Sequence, residues 1–181
     1  MKRRVLATIL LLFTLNLSSP VFANGTTSEP SASIILPGSE TSKSQEYLLK
    51  QRVIEKVLTR YNSQLVGEAD TFVKYAYEYN IDPYLLISIS GLESFFGRHM
   101  IPGNYNAWGW GGGYIGLQSW DHAIYTISKA LRENYYDKGA QDIHDVGRKY
   151  AESPTWSVRV QYFMDQFYKE EAKMKKLDRL L

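Results

Sequence analysis

Apolar residues return every three or four positions from Tyr47 onward, and one glycine- and tryptophan-rich stretch interrupts them. That pattern restricts the chain to packed amphipathic helices around one irregular segment. Leu49, Val53, Val57, Leu58 and Tyr61 form the first stripe, and Gly67 ends it. Phe72, Tyr75, Ala76 and Tyr79 form the second. Asn80-Ile81-Asp82-Pro83 then breaks the chain. Asp82 suits an N-cap and Pro83 the first helical position, where its missing N–H costs nothing. This predicts a helix from Pro83 to about Phe96, stopped by Gly97. Residues 97–120 hold seven of the 13 glycines and three of the four tryptophans, so no regular helix continues there. Trp108–Trp110 and Tyr114–Leu117 flank Gly111-Gly112-Gly113, which suits an irregular loop or a small β-hairpin. Ser119 then caps a helix bearing Ile124, Ile127, Leu131 and Tyr135. A short helix carries Ile143, Val146 and Tyr150. A last one begins at Ser153-Pro154, with Trp156, Val160, Phe163, Met164 and Phe167 inward. Its end, KEEAKMKKLDRLL, reads as a charged, solvated helix with only Leu177, Leu180 and Leu181 to offer a partner. The expectation is a mainly α domain over residues 47–181.

The start has the form of an export signal. Lys2, Arg3 and Arg4 precede the apolar run Val5–Leu17, and Val21-Phe22-Ala23 fits a cleavage site, so residues 1–23 are expected to be removed. A run of 13 residues spans about 20 Å as a helix, too short for a hydrocarbon core of about 30 Å. No stable membrane insertion is expected after cleavage. Residues 24–46 are rich in Gly, Pro, Ser and Thr and are expected to be a disordered linker. The full chain has 21 Lys+Arg and 19 Asp+Glu. Losing the signal leaves 18 against 19, so no basic surface for nucleic acid is indicated. The chain has no cysteine, which excludes disulfides, thiol catalysis and cysteine-bound zinc.

Glu93 is the outstanding polar residue. No other Asp or Glu follows until Asp121. At about 100° per residue it falls between Leu86 and Ile89, on the apolar face of its helix. Burying an ionised carboxylate is costly, so this placement predicts a group that keeps its proton and can donate it in catalysis. The plainer alternative is a carboxyl that ties the core together through an N–H or a tyrosine. The loop after it favours the chemical reading. Tyr105, Trp108 and Trp110 offer flat apolar faces for sugar rings, and Asn106 offers paired donors and acceptors for acetamido groups.

Asp82-Pro83 with Leu85-Leu86, then Glu93-Ser94-x-x-Gly97, then Asn106-x-Trp108-Gly109, then Tyr150-Ala151-Glu152-Ser153-Pro154 resembles, over residues 70–168, a bacterial family. It is the peptidoglycan β-N-acetylglucosaminidases, with mannosyl-glycoprotein endo-β-N-acetylglucosaminidase-like domains. The resemblance implies a lysozyme-like helical fold acting on peptidoglycan glycan strands without a cofactor, with Glu93 as general acid and Tyr150 close to the reacting sugar. Ser94, Tyr105, Asn106, Trp108, Gly109 and Trp110 are then expected at the substrate. By periodicity alone Tyr150 belongs to the core stripe of Ile143 and Val146. The chain departs from a two-carboxylate scheme, which places its acids about 5–10 Å apart. Asp121 is the one nearby candidate, and a helix start favours a carboxylate there in any case. Without a second acid, the substrate's acetamido oxygen or its muramic 6-hydroxyl would attack, the latter being the lytic transglycosylase outcome. A non-catalytic glycan-binding domain of the same fold, or an envelope structural protein docking through its last helix, are the readings of other classes. A monomer is expected.

Other patterns fail on context. Gly111-Gly112-Gly113-Tyr114-Ile115-Gly116 fits G-x-G-x-x-G, but no strand precedes it in the expected order of elements. His99, His122 and His144 lack the i, i+3 or i, i+4 spacing of helical metal ligands, and no metal site is expected. No G-x-S-x-G occurs.

Overall fold

A computed structural model describes residues 37–113 and 115–180. The expected signal, residues 24–36 of the expected linker, Tyr114 and Leu181 lie outside the described residues. Six α-helices follow in chain order: α1 Pro37–Arg60, α2 Ala69–Glu78, α3 Leu85–Ser94, α4 Trp120–Asn134, α5 Ile143–Tyr150 and α6 Trp156–Asp178. Residues 37–46, expected as linker, belong to α1 instead. Pro37 stands at its first position, where its fixed φ suits a helix start.

Each amphipathic stripe finds the core. Leu49, Val53, Val57 and Leu58 of α1 are buried, with Phe72, Tyr75 and Ala76 of α2, Ile124, Ile127 and Leu131 of α4, and Val160, Met164 and Phe167 of α6. Ser119 caps α4 by accepting the His122 N–H at 3.1 Å. Asp142 caps α5 by accepting from His144 and Asp145 at 2.8 and 2.9 Å. Asp82 accepts from the Tyr84 N–H at 2.7 Å, so the Asp82–Tyr84 turn leads into α3.

Helix α3 is the axis of the fold. It packs on α6 and α4, and every residue from Leu85 to Gly91 is buried. A helix covered on all sides has no solvent face. At Gly91 the neighbours come closest: a Cβ there would lie 2.8 Å from Cζ of Phe96 and 3.0 Å from Cδ1 of Phe163.

Of the irregular loop and the small hairpin expected, the described residues form the loop, and the solvated end expected for α6 is corrected. Among the described residues there is no β-hairpin. Trp110–Gly113 forms one irregular 3-10 stretch, in which Gly111 and Gly112 take φ of 61° and 75°. The Asn106 side chain explains this. Its amide accepts the Trp110 N–H at 2.9 Å and donates to the carbonyls of Trp110 and Ile115 at 2.8 and 3.2 Å. The backbone groups of a hairpin ladder are thereby taken by one side chain. The end of α6 is also not wholly solvated. Glu170 and Glu171 are only 4% and 6% exposed. Glu170 pairs with Lys56 and Arg60, and Glu171 with Lys50 and Lys175, while the Tyr84 hydroxyl donates to Glu171 at 2.9 Å. The pairs with Lys50, Lys56 and Arg60 fasten α6 to α1.

Candidate functional site

The last turn of α3 is where that helix leaves the core, and Glu93 sits on it, exposed. The expected burial of Glu93 is therefore corrected. Angular position cannot decide exposure on a helix buried all round; axial position does. The chain then turns sharply. Phe95, Phe96 and Gly97 all take left-handed conformations, with φ of 52°, 60° and 77°. Two non-glycine residues in that region cost about 1–2 kcal/mol each. Burying Phe96 returns about 1.5–3 kcal/mol, and its ring packs on Tyr61 and Phe163 with centroids 4.6 and 5.3 Å away. The Phe96 N–H donates to the Ser90 carbonyl at 2.9 Å. Ser94 locks the corner, accepting the Gly97 N–H at 2.8 Å and donating to the Ala107 carbonyl at 2.7 Å.

Trp156, at the start of α6, is 3% exposed and donates its indole N–H to Oε1 of Glu93 at 2.8 Å. The Tyr150 ring stacks on Trp156 at 4.8 Å and 27° between planes. The Tyr150 hydroxyl donates to the Trp108 carbonyl at 3.0 Å. Burial, together with the negative charge of Glu93, pushes the Tyr150 phenol far above its ordinary value, so it stays a neutral donor. Glu93, Trp156 and Tyr150 thus form one continuous row.

A groove lies at each end of this row. The first, about 400 Å³, is bordered by Glu93, Phe95, His99, Arg159, Tyr162 and Phe163, among others. The second, about 370 Å³, is bordered by Gly109, Trp110, Gly111, Gly112, Tyr135 and Tyr150. Glu93 is the one carboxylate among the residues bordering either groove.

The residues expected at the substrate divide into two groups. Gly109 and Trp110 border the second groove, with Trp110 packed 6.1 Å from Tyr150. Ser94 borders the first, but its hydroxyl is committed to the backbone on both sides. Asn106 is buried and spends its amide on the loop. Trp108 is 1% exposed and donates its indole N–H to the Leu86 carbonyl at 2.8 Å. Tyr105 packs edge-on against Trp120 at 5.2 Å and borders neither groove. Asn106 and Trp108 thus spend their polar groups on the protein's own backbone. Asp121 accepts from the Tyr75 hydroxyl at 3.2 Å and borders neither groove.

His99, Arg159 and Tyr162 border the first groove without having been expected there from the sequence. The spacing Trp156-x-x-Arg159-x-x-Tyr162 was the available signal, since it places the three on neighbouring turns of one helix. Among the described residues, no group of three or more His, Asp or Glu side chains is arranged to hold a metal ion. No described helix is long and apolar enough to cross a membrane. No protein-family model matches the chain, and no curated protein matches it.

Proposed function

We propose that this chain is an exported glycoside-cleaving enzyme of the peptidoglycan β-N-acetylglucosaminidase type, built on a lysozyme-like helical domain, with Glu93 as general acid. One observation carries the reading: the hydrogen bond from the buried Trp156 indole to Oε1 of an otherwise exposed carboxylate. Surface glutamates ordinarily keep their rotamer freedom, and a structural one gains little from a rigid aromatic donor. Here the donor occupies Oε1, so the proton to be transferred sits on Oε2. That proton goes to the bridging oxygen as the glycosidic bond breaks, through an oxocarbenium-like state. The aromatic borders of the two grooves, Phe95 and Tyr162 on one side and Trp110 and Tyr150 on the other, suit the flat faces of sugar rings. Glu93 leaves water only when a glycan fills the first groove, so the substrate completes the acid's surroundings.

A second reading rests on the lack of another carboxylate bordering either groove. One acid alone suits attack by a group of the substrate itself. An acetamido oxygen leads on to hydrolysis. A muramic 6-hydroxyl gives the 1,6-anhydro product of a lytic transglycosylase. Mass spectrometry of a peptidoglycan digest separates them. Free reducing N-acetylglucosamine ends support the hydrolase, and anhydro-muramic ends, lighter by one water, replace it with the transglycosylase. Glycan binding without any released product, in wild type as in Glu93→Gln, sinks both and leaves a binding domain.

A further inference from the structure

We infer that Arg159, beside Glu93 in the first groove, recognises a carboxylate carried by the glycan and makes the site selective for anionic over neutral strands. The inference rests on the glycan reading above and names the substrate feature that this groove selects. Arg159 is exposed and borders the groove together with Glu93 and His99. Arg52, Arg60, Arg132 and Arg148 each pair with a carboxylate of the protein; Arg98, which donates to the Tyr61 carbonyl, and Arg179 do not among the described residues, but neither borders the groove. Arg159 pairs with none among the described residues, and its guanidinium fork stays available for a planar, two-oxygen partner.

Position and charge point the same way. Arg159 follows Trp156 by three residues, about 5 Å along α6. The helix that orients the acid through Trp156 therefore presents a cation one turn away. Tyr162, 61% exposed, continues that face as an aromatic surface. Across the groove the His99 ring stacks on Phe95 at 5.9 Å and 15°, which holds the imidazole in place. Arg159 is the one lysine or arginine among the residues bordering this groove. A neutral chitin-type strand gives that charge no partner. A strand bearing a carboxylate, from a lactyl ether or from an attached peptide, satisfies it.

The test measures binding by calorimetry in the Glu93→Gln background, so that no ligand is consumed. The probes are chitotriose, the N-acetylglucosaminyl-N-acetylmuramic acid disaccharide with a free lactyl carboxyl, and the same disaccharide carrying a dipeptide. The expected result is roughly tenfold tighter binding of a carboxylate-bearing probe than of chitotriose. Preference for the free disaccharide assigns the lactyl carboxyl, and preference for the dipeptide form alone assigns the peptide. Arg159→Gln should abolish the preference, while Lys169→Gln, which removes an equal charge from an exposed position outside the groove, should keep it. Equal affinities, no measurable binding, a preference that survives Arg159→Gln, or one lost equally in Lys169→Gln each overturns the inference. A separate product assay on wild type tells the two ideas apart. Product release without preference removes carboxylate recognition and keeps the glycosidase. Preference without product does the reverse.

Discussion

Trp156 holds Oε1 of Glu93 at 2.8 Å, so a buried ring on α6 orients an exposed carboxylate on α3. The two residues are 63 positions apart in sequence, and the bond forms because α3 and α6 pack along their lengths.

Trp156→Phe keeps an aromatic ring against Tyr150 and removes the N–H together with part of the buried indole. Hydrogen bonds to charged groups are worth about 1.5–3 kcal/mol. Turnover should fall by roughly 10- to 100-fold, with KM little changed, because the acid loses its orientation while the groove keeps its shape. Steady-state kinetics on a soluble glycan substrate measures this, and an unchanged kcat would show that the indole does not position Glu93.

Glu93→Gln should lower the rate by roughly 10²- to 10⁴-fold while leaving the fold intact. The side chain is exposed, and the amide oxygen can still accept from Trp156. Its stability should stay within about 0.5 kcal/mol of wild type. Activity and urea denaturation are measured side by side; a large loss of stability would make Glu93 a structural residue.

Gly91→Ala should destabilise the domain by about 1–3 kcal/mol. The new Cβ would sit 2.8 Å from Cζ of Phe96, a ring that is fully buried and cannot swing aside. The urea midpoint should drop with the denaturant slope unchanged.

Acid should loosen the junction of α1 with α6. For Glu171 burial acts to raise the carboxyl, but hydrogen bonds from Lys175, Lys50 and Tyr84 outweigh it and hold the group below its ordinary value of 4.5. The Lys56 hydrogen bond does the same for Glu170. A carboxyl lowered in the folded state stabilises above its unfolded value and loses that contribution as pH falls through the folded one. Stability should therefore decline as pH drops below about 4.5. Glu171→Gln should shrink that decline and cost about 3 kcal/mol at neutral pH, by leaving Lys50 without its partner. Denaturation midpoints at a series of pH values measure both.

The stripes of α1, α2, α4 and α6 were legible because a helix repeats locally, and the Ser119 cap because it is made within three residues. The limits of the irregular loop were legible from its glycines. What fills that loop was not. Asn106 and Trp108 carry the groups that suit a sugar, a paired amide and a flat ring. Those groups serve the protein's own backbone equally well, and here they bond Trp110, Ile115 and Leu86. The charged run at the end of α6 looked solvated because, apart from Lys175 on the same helix, the partners of Glu170 and Glu171 lie on α1 and at Tyr84, more than 80 residues away.

The order of residues alone was enough for a mainly helical chain, for the start of α4 after Ser119, and for the singular position of Glu93 between two hydrophobic stretches and a glycine-rich loop. Those are consequences of backbone periodicity, capping and turn chemistry, which act over a few residues. The packing of the helices had to be seen to learn that Glu93 is open to water, that Trp156 rather than a core contact holds it, and that Arg159 shares its groove. Exposure depends on where neighbouring helices end along the axis of α3, and a pairing across 63 residues depends on which helices pack together.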